Sequence, residues 1–180
     1  MKTDYLEWLC HLLDIQVNVI FYVGGNIYNP TKVKLPEEMP FEVKGQYFPK
    51  ENILYMNFDV HENENEILLT MTKELRHAYQ YHQICLYHDY INGNEDSYDA
   101  ICERSDIIKV WQKEWIHPEK KQKTLDLDAE AFTIYMGRQV LEIEVKHDPK
   151  FNEYQLQEWI DYIALSLDEE YLKETKVFIK

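Results

Sequence analysis

The reading of the fold turns on Lys73-Glu74-Leu75-Arg76-His77, which sits in a longer run, Glu62 to about Leu86, that reads as one helix. Ile67, Leu68, Met71, Leu75, Ala78 and His82 recur at three- and four-residue steps and form its core stripe. At ~100° per residue, Lys73, Glu74 and His77 fall together on one flank beside that stripe. Lys73 and His77 are four residues apart, so their side chains meet on successive turns.

Before this helix the period shortens to two. Leu54, Met56, Phe58 and Val60 alternate with Tyr55, Asn57 and Asp59, the pattern of a half-buried strand. Phe41 to Phe48 reads as a strand before it, and Pro49-Lys50-Glu51-Asn52 as the turn, so residues 41–60 are expected to form a hairpin. Upstream, Val17 to Val23 is a β-branched and aromatic run closed by Gly24-Gly25, a buried strand. Residues 26–40, with Pro30, Pro36 and Pro40, read as a loop. Leu6, Leu9, Cys10, Leu12 and Leu13 mark a helix near residues 3–14.

After the long helix, Asn92-Gly93-Asn94 marks a loop, and the remainder favours helix. Ile107 to Trp115 is one segment, Leu125, Ala129, Phe132, Met136 and Val140 define the next, and Leu156, Trp159, Ile160 and Ile163 another, with a short terminal piece beyond. Helix, strands, then a helix-rich C-terminal part is an α+β order in one domain, residues 1–180. There is no internal repeat.

The formal net charge of −14 disfavours nucleic acid and anionic membranes, whose affinity rests on basic residues meeting phosphates. Lys120-Lys121-Gln122-Lys123 is too short to reverse that and reads as a solvated loop. The longest apolar run, Val17 to Val23, is far too short to span a bilayer. Cys10, Cys85 and Cys102 form no CxxC, so neither a zinc ribbon nor a redox dithiol is indicated. The N-terminus lacks the apolar core of a secretory signal, and a reducing cytoplasm is the expected location. No feature fixes an oligomeric state.

In an HExxH helix, two histidines one turn apart hold a zinc ion and the glutamate activates the bound water. Here Glu74 and His77 occupy the second and fifth positions, and Lys73 stands in the first. Glu-x-x-His alone is a weak signal, and its plain alternative is a solvated flank with a local ion pair. Two features of context raise its weight. The helix follows a hairpin, and a later helix opens with Asp126-Leu127-Asp128-Ala129-Glu130-Ala131-Phe132.

With these motifs, residues 41–143 resemble the compact zincins of the ImmA/IrrE kind and related bacterial and phage metallopeptidase-like proteins. Glu74 to Gln80 is similar to their active helix, and Asp126-Leu127-Asp128-Ala129 to the motif that supplies their third metal ligand, with aspartate in place of glutamate. The resemblance implies a small antiparallel or mixed sheet with an active-site helix. It also implies His77 as a metal ligand, Glu74 as general base, Asp126 as third ligand with Asp128 as the fallback, and zinc as the metal. An extended peptide would add along the edge strand, assigned to residues 53–60.

Lysine at position 73 departs furthest from that pattern, because at neutral pH an ammonium offers a positive charge and no lone pair. One expectation is that Lys73 sits where zinc would, paired with Asp126 and with Glu74. The other is that Lys73 points to water and the acids near 126 favour a helix N-terminus. Two functions follow. The first is a zinc-free relative that binds a peptide or protein partner, which Lys73 favours. The alternative is an active zinc-dependent peptidase with Glu74 as base and an altered ligand set. A site drawing on His77 with His82 or His88 is a minor variant. Rossmann, P-loop and α/β-hydrolase signatures are absent from the sequence.

Overall fold

The computed structural model describes residues 3–93, 105–117, 123–167 and 172. In chain order these form α1 (Thr3–Leu12), β1 (Asn18–Val23), β2 (Asn26–Tyr28), β3 (Gly45–Phe48), β4 (Ile53–Asn57), α2 (Glu64–Ile91), α3 (Ser105–Ile116), α4 (Thr124–Gln139) and α5 (Glu153–Ser166). Cys102 and the expected terminal piece lie outside the described residues. None of the described helices is long and apolar enough to cross a membrane.

The expected α+β architecture is present, with one mixed sheet ordered β2-β1-β4-β3. β3 and β4 pair antiparallel as the expected hairpin, though its first strand begins at Gly45 and not at Phe41, residues 41–44 forming turns. β1 lies parallel to β4 with Asn18 opposite Ile53 and Tyr22 opposite Asn57. Residues 26–28, read as loop, form β2, which pairs with β1 across the Gly24-Gly25 turn. Both glycines have positive φ (57° and 77°), and both donate their N–H to the Asp59 carboxylate.

Two expectations about the strand at 53–60 need correction. It ends at Asn57, and Phe58–Val60 is a single 3-10 turn capped by the Asn57 side chain. It is also neither half-buried nor an edge. β1 occupies one side of β4 and β3 the other, so its five residues are all buried. Leu54 and Met56 face the helices, while Ile53 and Tyr55 pack under Val33, Leu35 and Met39 of the loop before β3. The edge strand on the helix side of the molecule is β3.

α2 starts where its caps place it. Asn63 accepts the Glu66 N–H, and the Glu66 carboxylate in return accepts the Glu62 N–H. Gly93, with φ 96°, follows its last turn. The helix runs under the sheet and against α4, so polar residues as well as the apolar stripe are buried: Thr72, Arg76, Gln80 and Gln83. α4 is the most enclosed helix, with Leu125 and every residue from Asp128 to Gly137 buried. Its first residues have no capping side chain of their own at Lys123. Glu114 of α3 supplies one instead, accepting the Leu125 N–H at 3.0 Å in a buried contact.

Candidate functional site

A cleft of about 340 Å³ opens between β3, α2, the end of α3 and the start of α4, lined by Val43, Gly45, Gln46, Tyr47, Glu74, His77, Trp115, Lys123, Leu125 and Asp126. The sequence motifs on α2 and α4 therefore converge: Glu74, His77 and Asp126 share one cavity.

Gly45 lets β3 approach α2 closely enough for this. A Cβ at that position would stand 2.8 Å from Thr70 Cγ2 and 3.3 Å from Glu74 Cγ, so only glycine fits without displacement. Asn57 donates its N–H to Lys44 O, which makes 44/57 a hydrogen-bonded pair of the hairpin. By alternation, Gly45 and Tyr47 then direct their backbone groups away from β4, along the open edge. The Tyr47 N–H meets a Glu74 carboxylate oxygen at 2.9 Å. Burial pushes the Glu74 carboxyl above the ordinary carboxylate range, and Asp126 pushes the same way, against the lowering effects of His77, the Tyr47 N–H and Lys73.

The apolar wall is aromatic. Tyr47 and Tyr81 lie with ring centroids 6.3 Å apart, and Tyr81 and Trp115 5.2 Å apart. Desolvation raises the Tyr47 phenol well beyond its usual range, and its hydroxyl donates to Asn52 Oδ1 at 3.0 Å.

Lys73 takes neither expected course. It is not free in water, and its partner is neither Asp126 nor Glu74. The ammonium lies 2.8 Å from Glu130 Oε2, one turn beyond the Asp126 position, while Glu130 Oε1 accepts the Asp148 N–H at 3.0 Å. Lys73 is thus held in a half-buried pair with Glu130, and it is not among the residues lining the cleft.

Asp128, the fallback ligand, also lies elsewhere. It is fully buried and grips Arg76 with both oxygens, Oδ2 to Nε and Oδ1 to Nη2, each at 2.9 Å. The guanidinium is sandwiched between the rings of Tyr79 and Phe132, 4.5 and 4.7 Å from their centroids. Burial opposes its charge, but Asp128 outweighs that and raises the pKa of Arg76 further. Gln80 completes the network, donating to Asp128 Oδ2 at 2.6 Å and to the Leu125 carbonyl at 2.9 Å.

The donor set does not fit a three-ligand zinc site. The cleft offers His77, Asp126 and Glu74, yet no group of three His, Cys, Asp or Glu side chains among the described residues is arranged to hold a metal ion. The Lys73 place contributes no lone pair, and Asp128 has its oxygens engaged. His88 cannot join His77, since eleven residues of helix separate the two by ~16 Å. His61 has both ring nitrogens engaged, with Asn57 O at 2.6 Å and Thr70 Oγ1 at 3.0 Å.

Sequence reasoning missed Arg76, Gln80, Glu130, Tyr47 and Trp115. Arg76 and Gln80 are four residues apart and flank the core stripe, so a buried polar seam facing the acids of 126–130 was the available signal. Comparison with known proteins adds no relative: no family model, curated protein or solved structure matches the chain.

Proposed function

We propose that the protein binds an extended segment of a peptide or protein partner in this cleft, and that it does so without a catalytic metal, as a silent relative of the zincin plan. The observation that carries the reading is the cleft's position against the open edge of β3. There Gly45 and the Tyr47 carbonyl present outward backbone groups, the Tyr47 N–H being taken by Glu74, beside an aromatic wall and the side chains of Glu74, His77 and Asp126. A chain laid along that edge gains backbone hydrogen bonds from β3 and side-chain contacts from α2 and α4. The metal-free part rests on Lys73, engaged by Glu130, and on Asp128, engaged by Arg76.

The test is titration of a fluorescent pool of short unstructured peptides, in the presence of a chelator, against the wild type and Trp115→Ala. Saturable binding that survives chelation and weakens in Trp115→Ala supports the proposal. Failure of every peptide to bind overturns it, and one tightly held zinc per native chain overturns its metal-free part. In a parallel hydrolysis assay, turnover that Glu74→Gln abolishes would favour the peptidase alternative.

A further inference from the structure

The Gln80 amide has one orientation open to it. Its nitrogen faces two groups that only accept, the Leu125 carbonyl at 2.9 Å and Asp128 Oδ2 at 2.6 Å. The oxygen is therefore the atom turned to His77, 2.9 Å from Nδ1. An amide oxygen only accepts, so His77 Nδ1 carries a proton, and in the neutral ring Nε2 is the nitrogen with the lone pair. This is the reverse of the tautomer that free histidine favours in water. Asp128, which fixes Gln80, is fixed in turn by two bonds from Arg76. The buried network thus sets the character of a group in the open cleft.

With Nδ1 committed to Gln80, the acidic side of the cleft offers acceptors: the Asp126 carboxylate, the Glu74 oxygen not bonded to the Tyr47 N–H, and His77 Nε2. Gln46 adds an amide that both donates and accepts. Lys123 is the one ammonium among the lining residues, and the aromatic side chains of Tyr47 and Trp115 line the cleft as well. A flat, donor-rich cation is complementary to that set. It can stack on an aromatic face while its N–H groups reach acceptors at several angles, which a guanidinium does and an ammonium does less well. The whole-chain charge of −14 draws the same kind of segment towards the surface.

We propose that the cleft takes an arginine side chain of the bound segment, and that Gln80 is the positioning residue that keeps His77 an acceptor for it. This rests on the peptide-binding reading and adds a residue preference to it.

Two measurements on the full chain test it. Long-range proton–nitrogen spectra of isotope-labelled protein, recorded near pH 8, report which His77 nitrogen is protonated, with His77→Gln identifying the signal. The expected result is an Nδ1–H ring in the wild type and a shift towards Nε2–H in Gln80→Leu. An Nε2–H ring in the wild type overturns the proposal and needs no variant to fold. The second measurement compares one binding peptide carrying arginine with the same peptide carrying citrulline, its neutral isostere. Arginine is expected to bind at least roughly tenfold more tightly. Equal affinities overturn the arginine assignment and leave the peptide groove standing. Absence of binding by either peptide, or by any other, removes the groove and this inference with it.

Discussion

The two sides of the interface between α2 and α4 carry the same kinds of residue and use them in opposite ways. On the buried side, Arg76, Asp128 and Gln80 satisfy one another, with Arg76 4% and Asp128 0% exposed. On the open side, Glu74, His77 and Asp126 line a cavity, and among the described residues no ion pair to Asp126 matches the grip of Arg76 on Asp128. Asp126 and Asp128 are two residues apart on one helix, so the difference comes from rotation about the helix axis and not from composition. A carboxylate turned inward must find a partner to be buried at all. One turned to the cleft stays available to a ligand. Gln80 joins the two sides, because it bonds to Asp128 and to His77.

The contrast is sharpest for Arg76. Arg76→Met leaves Asp128 charged in the interior and is expected to cost about 3–5 kcal/mol by urea denaturation. The double variant with Asp128→Leu is expected to recover most of that loss, since an apolar pair of similar volume removes the stranded charge. A small loss in the single variant would mean that water reaches Asp128 and that the two sides are alike.

Glu130 stands between the two regimes, and its replacement is expected to have the next largest effect. Glu130→Ala frees the Lys73 ammonium and the Asp148 N–H together. The expected cost is about 1–3 kcal/mol, nearer the low end because Lys73 has access to water. The same variant leaves the lining of the cleft intact, so peptide affinity should change less than stability does.

Glu74→Gln should act in the opposite direction. A carboxyl whose folded-state pKa is raised binds its proton more tightly in the folded chain than in the unfolded one. Its contribution to stability is complete below the ordinary carboxylate range and is lost as pH rises through the raised value. Glutamine still accepts the Tyr47 N–H and carries no charge to desolvate. The variant is therefore expected to melt a few degrees higher at neutral pH and at the same temperature as wild type in acid. Equal melting at both would place Glu74 in a solvated environment. Asp126→Asn should change stability least, within about 0.5 kcal/mol either way, while weakening binding of an arginine peptide.

Much of this was legible in the chain itself. The helical period of 62–86 and the alternation at 54–60 gave the element types, though the strand itself stops at Asn57, because burial of one face imposes those periods. The half-burial expected of β4 failed because alternation cannot register a second covering layer, here Val33, Leu35 and Met39 from a proline-bearing loop. The parallel pairing of β1 with β4, which moves the edge from 53–60 to β3, depends on contacts 35 residues apart and leaves no local trace. At the site, spacing put Glu74 and His77 on one flank, and both line the cleft with Asp126. The partner of Lys73 was not legible, since Asp126 and Glu130 lie one turn apart on α4 and only the packed helices decide which of them an ammonium reaches.

The most direct test is to follow the backbone amides and tryptophan indoles of labelled full chain while an arginine peptide is added in the presence of a chelator. The account predicts saturable shifts concentrated at Gly45, Gln46, Tyr47, His77, Trp115 and Asp126. Shifts gathered instead around Phe21, Ile27 and Tyr28, where a second and more apolar cleft lies, would contradict it, as would binding that disappears when metal is withdrawn.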